Sequence, residues 1–351
     1  MNVRKLYEVK DMPLFQHHMY NKKNDALNCP KGDVLLVEDL STGFVYNQSF
    51  NSNLMVYDEN YQNEQGCSSN FLSHLEIVSK IIKQQLGTNS IIEVGCGQGT
   101  FLELLQRKGF KITGFDPAYQ RTNKNIIKKP FDKKHSIKSE GLILRHVLEH
   151  IKSPYEFLNN LRLANDGKGK IYIEVPCLNW IIKNKAWYDI YYEHVNYFRL
   201  SDLTNMFNTV YDFGRLFGNQ YIYIVADLSS LKRPIFNKNN SVKFPKEFIK
   251  DNNPIKENIN SYKKSFVWGG GSKGVIFILL KRRFGYKIDG IVDINPAKQG
   301  KYIPAVGEKV LSPKEAGEKF PEGSNCYVMN FNYFNEIKEM SNNKYNYKII
   351  E

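Results

Sequence analysis

The residues best equipped for chemistry fall in three stretches. In the first, Ile91-Ile92-Glu93-Val94 runs into Gly95-Cys96-Gly97-Gln98-Gly99-Thr100-Phe101-Leu102. A β-branched apolar run ending in an acid, glycines at every second position, then apolar residues at helical spacing read as strand, tight turn and helix start. Glycine serves there because the turn demands positive φ and because a ligand must reach backbone with no Cβ between. In an α/β sheet such a turn holds a nucleotide-like ligand. A dinucleotide loop reads G-x-G-x-x-G, and Thr100 stands where its third glycine belongs. The second stretch, Lys111-Ile112-Thr113-Gly114-Phe115-Asp116, ends in an acid 19 residues past Gly97. At that separation a carboxylate accepts from both hydroxyls of a ribose. The third, residues 187–198, packs six aromatic rings, two acids and one imidazole into twelve positions. Tyrosine hydroxyls grip a substrate and histidine titrates near neutrality, so His194 is a candidate general base. Packing anchors around a hydrogen-bonded core histidine account for the same residues equally well.

The elements that must position these groups alternate along the chain. Residues 1–70 read as irregular and strand-rich, with Val34-Leu35-Leu36-Val37 and Gly43-Phe44-Val45-Tyr46 as short strands. A helix follows, capped by Ser69 or Asn70, carrying Phe71, Leu72, Leu75, Val78 and Ile82 on its apolar face and ending at Gly87. Strands are expected over 142–147, 171–176 and 219–228, with Pro154 opening a helix between the first two. This alternation predicts an α/β fold with a doubly wound, mainly parallel sheet. Residues 232–262, rich in Lys, Asn and Pro, read as a linker plus a helix. A second glycine turn, Gly269-Gly270-Gly271-Ser272-Lys273-Gly274, then follows Phe266-Val267-Trp268 and precedes another helix and a strand ending at Asp293. Alone it is half of a dinucleotide unit, but 58 residues beyond Asp293 leave little room for the other half. NAD is therefore disfavoured, and the turn is either a vestige of cofactor binding or a contact for a substrate phosphate through Ser272, Lys273 and backbone N–H groups. The expected organisation is an N-terminal substrate-side domain over 1–70, a ligand-binding domain over 71–231, the 232–262 linker and helix, and a C-terminal α/β domain over 263–351.

Bulk properties narrow the function. The net charge of +13 invites nucleic acid, yet the lysines are scattered among Asn and Tyr with no long basic tract. A negatively charged, nucleotide-linked small molecule fits the charge better. Five widely spaced cysteines contain no C-x-x-C, which argues against a disulfide framework and a cysteine zinc site. His17 and His18 are adjacent and cannot easily share one metal. His146 and His150 are four apart but straddle a strand-to-loop change with no third ligand in register, so metal is disfavoured there too. No signal peptide is evident and the apolar run 275–280 is too short to span a bilayer, so a cytoplasmic protein is expected.

The spacing E-x-G-x-G-x-G from Glu93 to Gly99 resembles the first motif of class I S-adenosylmethionine-dependent methyltransferases. The whole chain resembles the sugar C-methyltransferase family. Matching blocks run in the same order: the glycine loop with Gly114-Phe115-Asp116-Pro117, then Arg145-His146-Val147-Leu148-Glu149-His150-Ile151, then Tyr191-Tyr192-Glu193-His194 with Tyr197-Phe198. The turn at 269–274 and Asp293-Ile294-Asn295-Pro296-Ala297-Lys298-Gln299-Gly300 are similar to that family's last domain. The resemblance implies a small β-rich N-terminal domain, a Rossmann-like central domain binding S-adenosylmethionine, and a Rossmann-like C-terminal domain. It implies donor contacts at Glu93, Gly95, Gly97, Gly99, Phe101, Asp116, Arg145 and His146, with Phe131 against the adenine. Known members methylate the carbon next to the ketone of a nucleotide-linked keto-deoxysugar. There a histidine matched by His194 is the base, positions matched by Tyr191 and Glu193 line the site, and an N-terminal tyrosine joins them, here Tyr61 with Tyr57 in reserve. Tyr57, Tyr192, Ser272 and Lys273 are the expected substrate contacts.

Two departures stand out. The family's N-terminal zinc is held by paired cysteines, whereas only Cys29 lies in the first 60 residues, so no zinc is expected. Tyr192 replaces a histidine common in the sugar enzymes, which leaves the acceptor open. O- or N-methylation of another small molecule is one alternative; a non-catalytic methyltransferase-like module that binds RNA or a protein partner is the other. The sequence leaves the oligomeric state open.

Overall fold

The computed structural model describes residues 2–55, 61, 63, 64, 66–135, 137–246, 248 and 263–350. Tyr57 and most of the segment expected to form a helix before 262 lie outside the described residues.

Three sheets build the chain. The first contains β1 (Val3–Pro13), β2 (Lys31–Asp39), β3 (Val45–Asn47) and a short strand from far downstream, Asn196–Tyr197, in antiparallel pairing. β2 contains and β3 overlaps the short strands expected over 34–37 and 43–46, while β1 is a strand that the sequence did not single out. β1 reads as irregular in sequence because its polar positions face solvent while Met12 and Tyr7 face the core. The downstream strand ties this sheet to the Tyr191–His194 stretch just before it.

The second sheet holds β4 (Ile91–Val94), β5 (Ile112–Phe115), β6 (Ile126–Ile127), β7 (Gly141–Arg145) and β8 (Lys170–Pro176), all parallel. Renumbering the downstream strand as β9 (Asn196–Tyr197), β10 (Val210–Leu216) and β11 (Tyr221–Asp227) complete it in the order β10-β11-β8-β7-β4-β5-β6. β11 runs antiparallel to both neighbours. The chain leaves β4 in one direction through β5 and β6, then returns to the other side at β7. The loop after β4 thus opens at the topological switch point, where α/β sheets bind ligands. This is the Rossmann-like arrangement of class I methyltransferases. The helix Ser69–Leu86 is capped by Ser68, one residue earlier than expected; its Oγ accepts the Phe71 N–H at 3.2 Å.

The third sheet is parallel throughout: β12 (Ser265–Trp268), β13 (Ile291–Val292), β14 (Val310–Leu311), β15 (Asn325–Val328) and β16 (Asn346–Ile349), ordered β14-β13-β12-β15-β16. It repeats the switch-point design, with the 269–274 turn after β12. Gly274 is required there, since a Cβ would lie 1.9 Å from the Gly269 carbonyl oxygen. The helix Ser272–Arg283 is buried continuously from Gly274 to Lys281. A helix buried all round lies between two bodies. Here the second body is the 187–189 turn, whose Trp187 stacks on Phe277 with centroids 5.6 Å apart. Among the described residues no helix is long and apolar enough to cross a membrane.

Candidate functional site

The C-terminal glycine turn lines a cavity, whereas Glu93, Gly95, Gly97, Gly99 and Asp116 are not among its lining residues. After β4, Gly95, Gly97 and Gly99 all take positive φ. At Gly95 a Cβ would also lie 2.4 Å from Val147 Cγ2, so no other residue fits without displacing the β7 loop. Glu93 is buried, and burial pushes its carboxyl up to about 8 despite the nearby Arg145. Its Oε2 has no hydrogen bond among the described residues. Asp116 accepts from the Gly97 N–H at 2.7 Å and the Ala118 N–H at 2.7 Å, one bond per oxygen. A carboxylate oxygen has further lone pairs for ribose hydroxyls. Over Gly97, a Cβ would meet nothing within 4 Å. An unpartnered buried acid oxygen beside open backbone and a half-used Asp116 fits S-adenosylmethionine, whose ammonium and sulfonium carry positive charge.

Four expected donor or substrate contacts have other partners. Arg145 is buried between the Phe101 ring, 4.5 Å from its centroid, and Glu174, 3.1 Å away, so both Arg145 and Phe101 are spent on packing and charge balance. Phe131 packs on Phe115 at 5.0 Å within the core. Tyr192 points into the N-terminal body: its hydroxyl accepts the Asn51 N–H at 2.9 Å, and its ring fills the space a Gly32 Cβ would need. Tyr192, expected as a substrate contact, is not among the residues lining the cavity.

His146 takes φ +52, a conformation non-glycine residues rarely adopt. The strain aims its ring between Glu174, 3.0 Å from Nε2, and Glu149, 3.4 Å from Nδ1. Burial lowers the imidazole pKa, but these two carboxylates outweigh it and the net shift is upward. Glu174 is the hub beneath: fully buried, it also meets His74 Nε2 at 3.1 Å and the Tyr172 hydroxyl at 2.5 Å. Burial alone would raise its pKa; Arg145 and the two histidines hold it well below the usual carboxylate range. Sequence reading missed Glu174, because an acid inside an apolar strand signals only that a partner exists.

The third stretch meets the C-terminal turn across a cavity of about 250 Å³. Tyr61, Tyr191, Glu193, His194, Ser272 and Lys273 all line it. The Tyr191 hydroxyl lies 2.9 Å from His194 Nε2 and also bonds Ser272. Burial, then the charges of His150, His146, His17 and Lys273, hold His194 well below the ordinary imidazole value. Tyr61 donates to Glu193 Oε2 at 2.6 Å, and the Gln16 N–H reaches Oε1 at 2.5 Å. Lys273 does not stand free: Asp189 and Gln220 each lie 2.9 Å from Nζ, and the Trp180 ring lies beneath it. A substrate phosphate at this turn would therefore share the lysine with Asp189. His150, Asp189 and Gln220 also line the cavity and were not among the expected site residues.

The comparisons were made against this geometry. Residues 61–210 match the family model of a methyltransferase domain. C-methyltransferase NovU of Streptomyces niveus is 24% identical over 40% of this chain and 38% of its own length. The chain thus spans about two fifths of that curated relative. Among solved structures, the chain is similar to the 1,6-didemethyltoxoflavin-N1-methyltransferase of Burkholderia thailandensis, at 14% identity and a TM-score of 0.35, covering 54% of this chain and 96% of that one. A SAM-dependent methyltransferase from Archaeoglobus fulgidus gives 18% identity and a TM-score of 0.32, covering 46% and 100%.

Proposed function

We propose that this S-adenosylmethionine-dependent methyltransferase methylates a carbon next to the ketone of a nucleotide-linked keto-deoxysugar, with His194 as the base. One observation carries the reading: a buried imidazole, bonded to Tyr191, shares a cavity with Tyr61, Glu193 and the glycine turn of the C-terminal domain. S-adenosylmethionine, held by Glu93, the 95–99 loop and Asp116, supplies an electrophilic methyl carbon. The chain does the rest. A proton beside a ketone becomes accessible to an imidazole only when the enolate oxygen is met by positioned donors. Tyr191 serves as such a donor because burial, with Asp189 nearby, raises its pKa well above the usual value and keeps it protonated. Glu193 orients Tyr61 through their hydrogen bond. His194 takes the proton, which leaves that carbon as the nucleophile for the donor's methyl group. Asp189 and Lys273 form an ion pair at the C-terminal turn, where the anionic nucleotide portion of the substrate can exchange with the carboxylate.

The resemblance to C-methyltransferase NovU supports a carbon acceptor, and the Tyr191–His194 pair supports a base. Trideuteromethyl-labelled donor separates the acceptors: the label is expected on carbon in the product. Label on oxygen or nitrogen would establish the alternative of heteroatom methylation. No turnover with any acceptor, together with retained donor binding, would favour a binding module.

A further inference from the structure

Next to the base stands a carboxylate that the proposed chemistry does not use. Glu149, on the short 3-10 turn Leu148–His150 after β7, is 1% exposed, and neither carboxylate oxygen has a hydrogen bond among the described residues. Among the described residues one ion pair reaches it, from His146 Nδ1, 3.4 Å from Oε1. With that single pair, the buried carboxylate still favours a further cation beside it.

Two imidazoles stand around it. Donor atoms of Glu149, His150 and His194 all lie within 4.8 Å of one another. Each histidine is also held on its far side. His150 Nδ1 lies 2.9 Å from the Glu193 carbonyl oxygen, which fixes Nδ1 as the protonated nitrogen and leaves the Nε2 lone pair for a ligand. His194 Nε2 lies 2.9 Å from the Tyr191 hydroxyl, leaving Nδ1. A ring nitrogen bonded to a carbonyl or hydroxyl while the other faces a shared centre is the usual support of a metal-ligating histidine. Two imidazoles and one carboxylate suit a first-row transition metal such as zinc. Tetrahedral ligands about 2.0–2.1 Å from zinc are roughly 3.4 Å apart, so the side chains would close by about an ångström. The third ligand comes from residue 194, more than forty positions beyond His150, which is why the His146–His150 spacing gives no metal site in sequence.

We infer that Glu149, His150 and His194 bind one divalent transition-metal ion, and that this metal inhibits by taking the lone pair with which His194 accepts a proton. The binding claim stands on these residues alone; the inhibition rests on the proposed role of His194. The metal is thus a competitor of the substrate's proton, distinct from the zinc of the family's N-terminal domain.

The test titrates Zn²⁺ by calorimetry, and Co²⁺ by its visible absorption, into the chelator-treated full chain. One ion per chain is expected, with affinity falling at least tenfold in both Glu149→Gln and His150→Ala while His17→Ala binds as wild type. Absence of binding, or wild-type affinity in the first two variants, would overturn the site. In the same samples, Zn²⁺ is expected to suppress substrate carbon–hydrogen exchange in the wild type and to do so at a higher concentration in Glu149→Gln. Binding without suppression would overturn the inhibition. Failure of the proposed function appears differently, as no exchange in the metal-free chain, and leaves the titration readable.

Discussion

His194→Ala is expected to lower methyl transfer by about a thousandfold, the typical contribution of a positioned general base, while S-adenosylmethionine affinity stays close to wild type. The second half of the expectation follows from location: His194 lines the cavity, whereas Glu93, Gly97 and Asp116 are not among its lining residues. Calorimetry for the donor and initial rates for the product separate the two effects. A variant that lost both would point to a structural role for the imidazole. The pH profile gives a second check on the same residue. Burial and the surrounding histidines and Lys273 disfavour the protonated form, so the folded-state pKa is depressed. The neutral base therefore persists as pH falls through the ordinary imidazole range, and the acid limb of the rate appears below that range. An acid limb at the ordinary value would contradict the depressed pKa.

Glu174→Ala is expected to cost about 3–5 kcal/mol of folding stability, because it leaves buried charge without its partner. Arg145, itself buried, would lose the carboxylate 3.1 Å away, and His146 and His74 would each lose an ion pair. Phe101 covers one face of the guanidinium, and 8% of the Arg145 side chain is exposed. Denaturant unfolding of the wild type and the variant measures this directly. Glu174→Gln is expected to be less damaging, as the amide oxygen in the Oε1 place still accepts from Arg145 and the NH2 in the Oε2 place can donate to the Tyr172 hydroxyl oxygen. The effect reaches the site through His146, whose strained backbone N–H donates to the Glu174 carbonyl at 2.9 Å and whose ring that carboxylate aims. Both variants should therefore also slow methyl transfer without touching the acceptor.

Much of this was legible in the residues. Glycines at alternate positions after a β-branched run can do little else than turn with positive φ, so the 95–99 loop and its strand could be placed in advance. Asp116 followed from its distance to Gly97, and the structure joins the two by a hydrogen bond. The dense aromatic stretch at 187–198 could be flagged but not sorted. Tyr191 and Tyr192 are neighbours with the same chemistry, yet one lines the cavity and the other fills the N-terminal core. Side-chain direction in an irregular segment has no sequence period, so only the neighbouring bodies decide it. The same holds for the C-terminal turn. Its glycines announce a close backbone approach, while its position opposite His194 depends on a helix buried between two bodies, a docking that only long-range packing specifies. Glu149 and Glu174 show the remaining limit: the sequence shows an acid, and the partners that give it meaning lie in other strands and turns.

The most direct test of the account is solvent exchange. The wild-type, metal-free chain is incubated in deuterium oxide with a nucleotide-linked 4-keto-deoxysugar and without S-adenosylmethionine, and the sugar is followed by NMR. If His194 removes the proton before the methyl group moves, deuterium enters the carbon next to the ketone, and His194→Ala abolishes the entry. A wild-type chain that binds both the sugar and the donor yet leaves that carbon fully protonated would contradict the account.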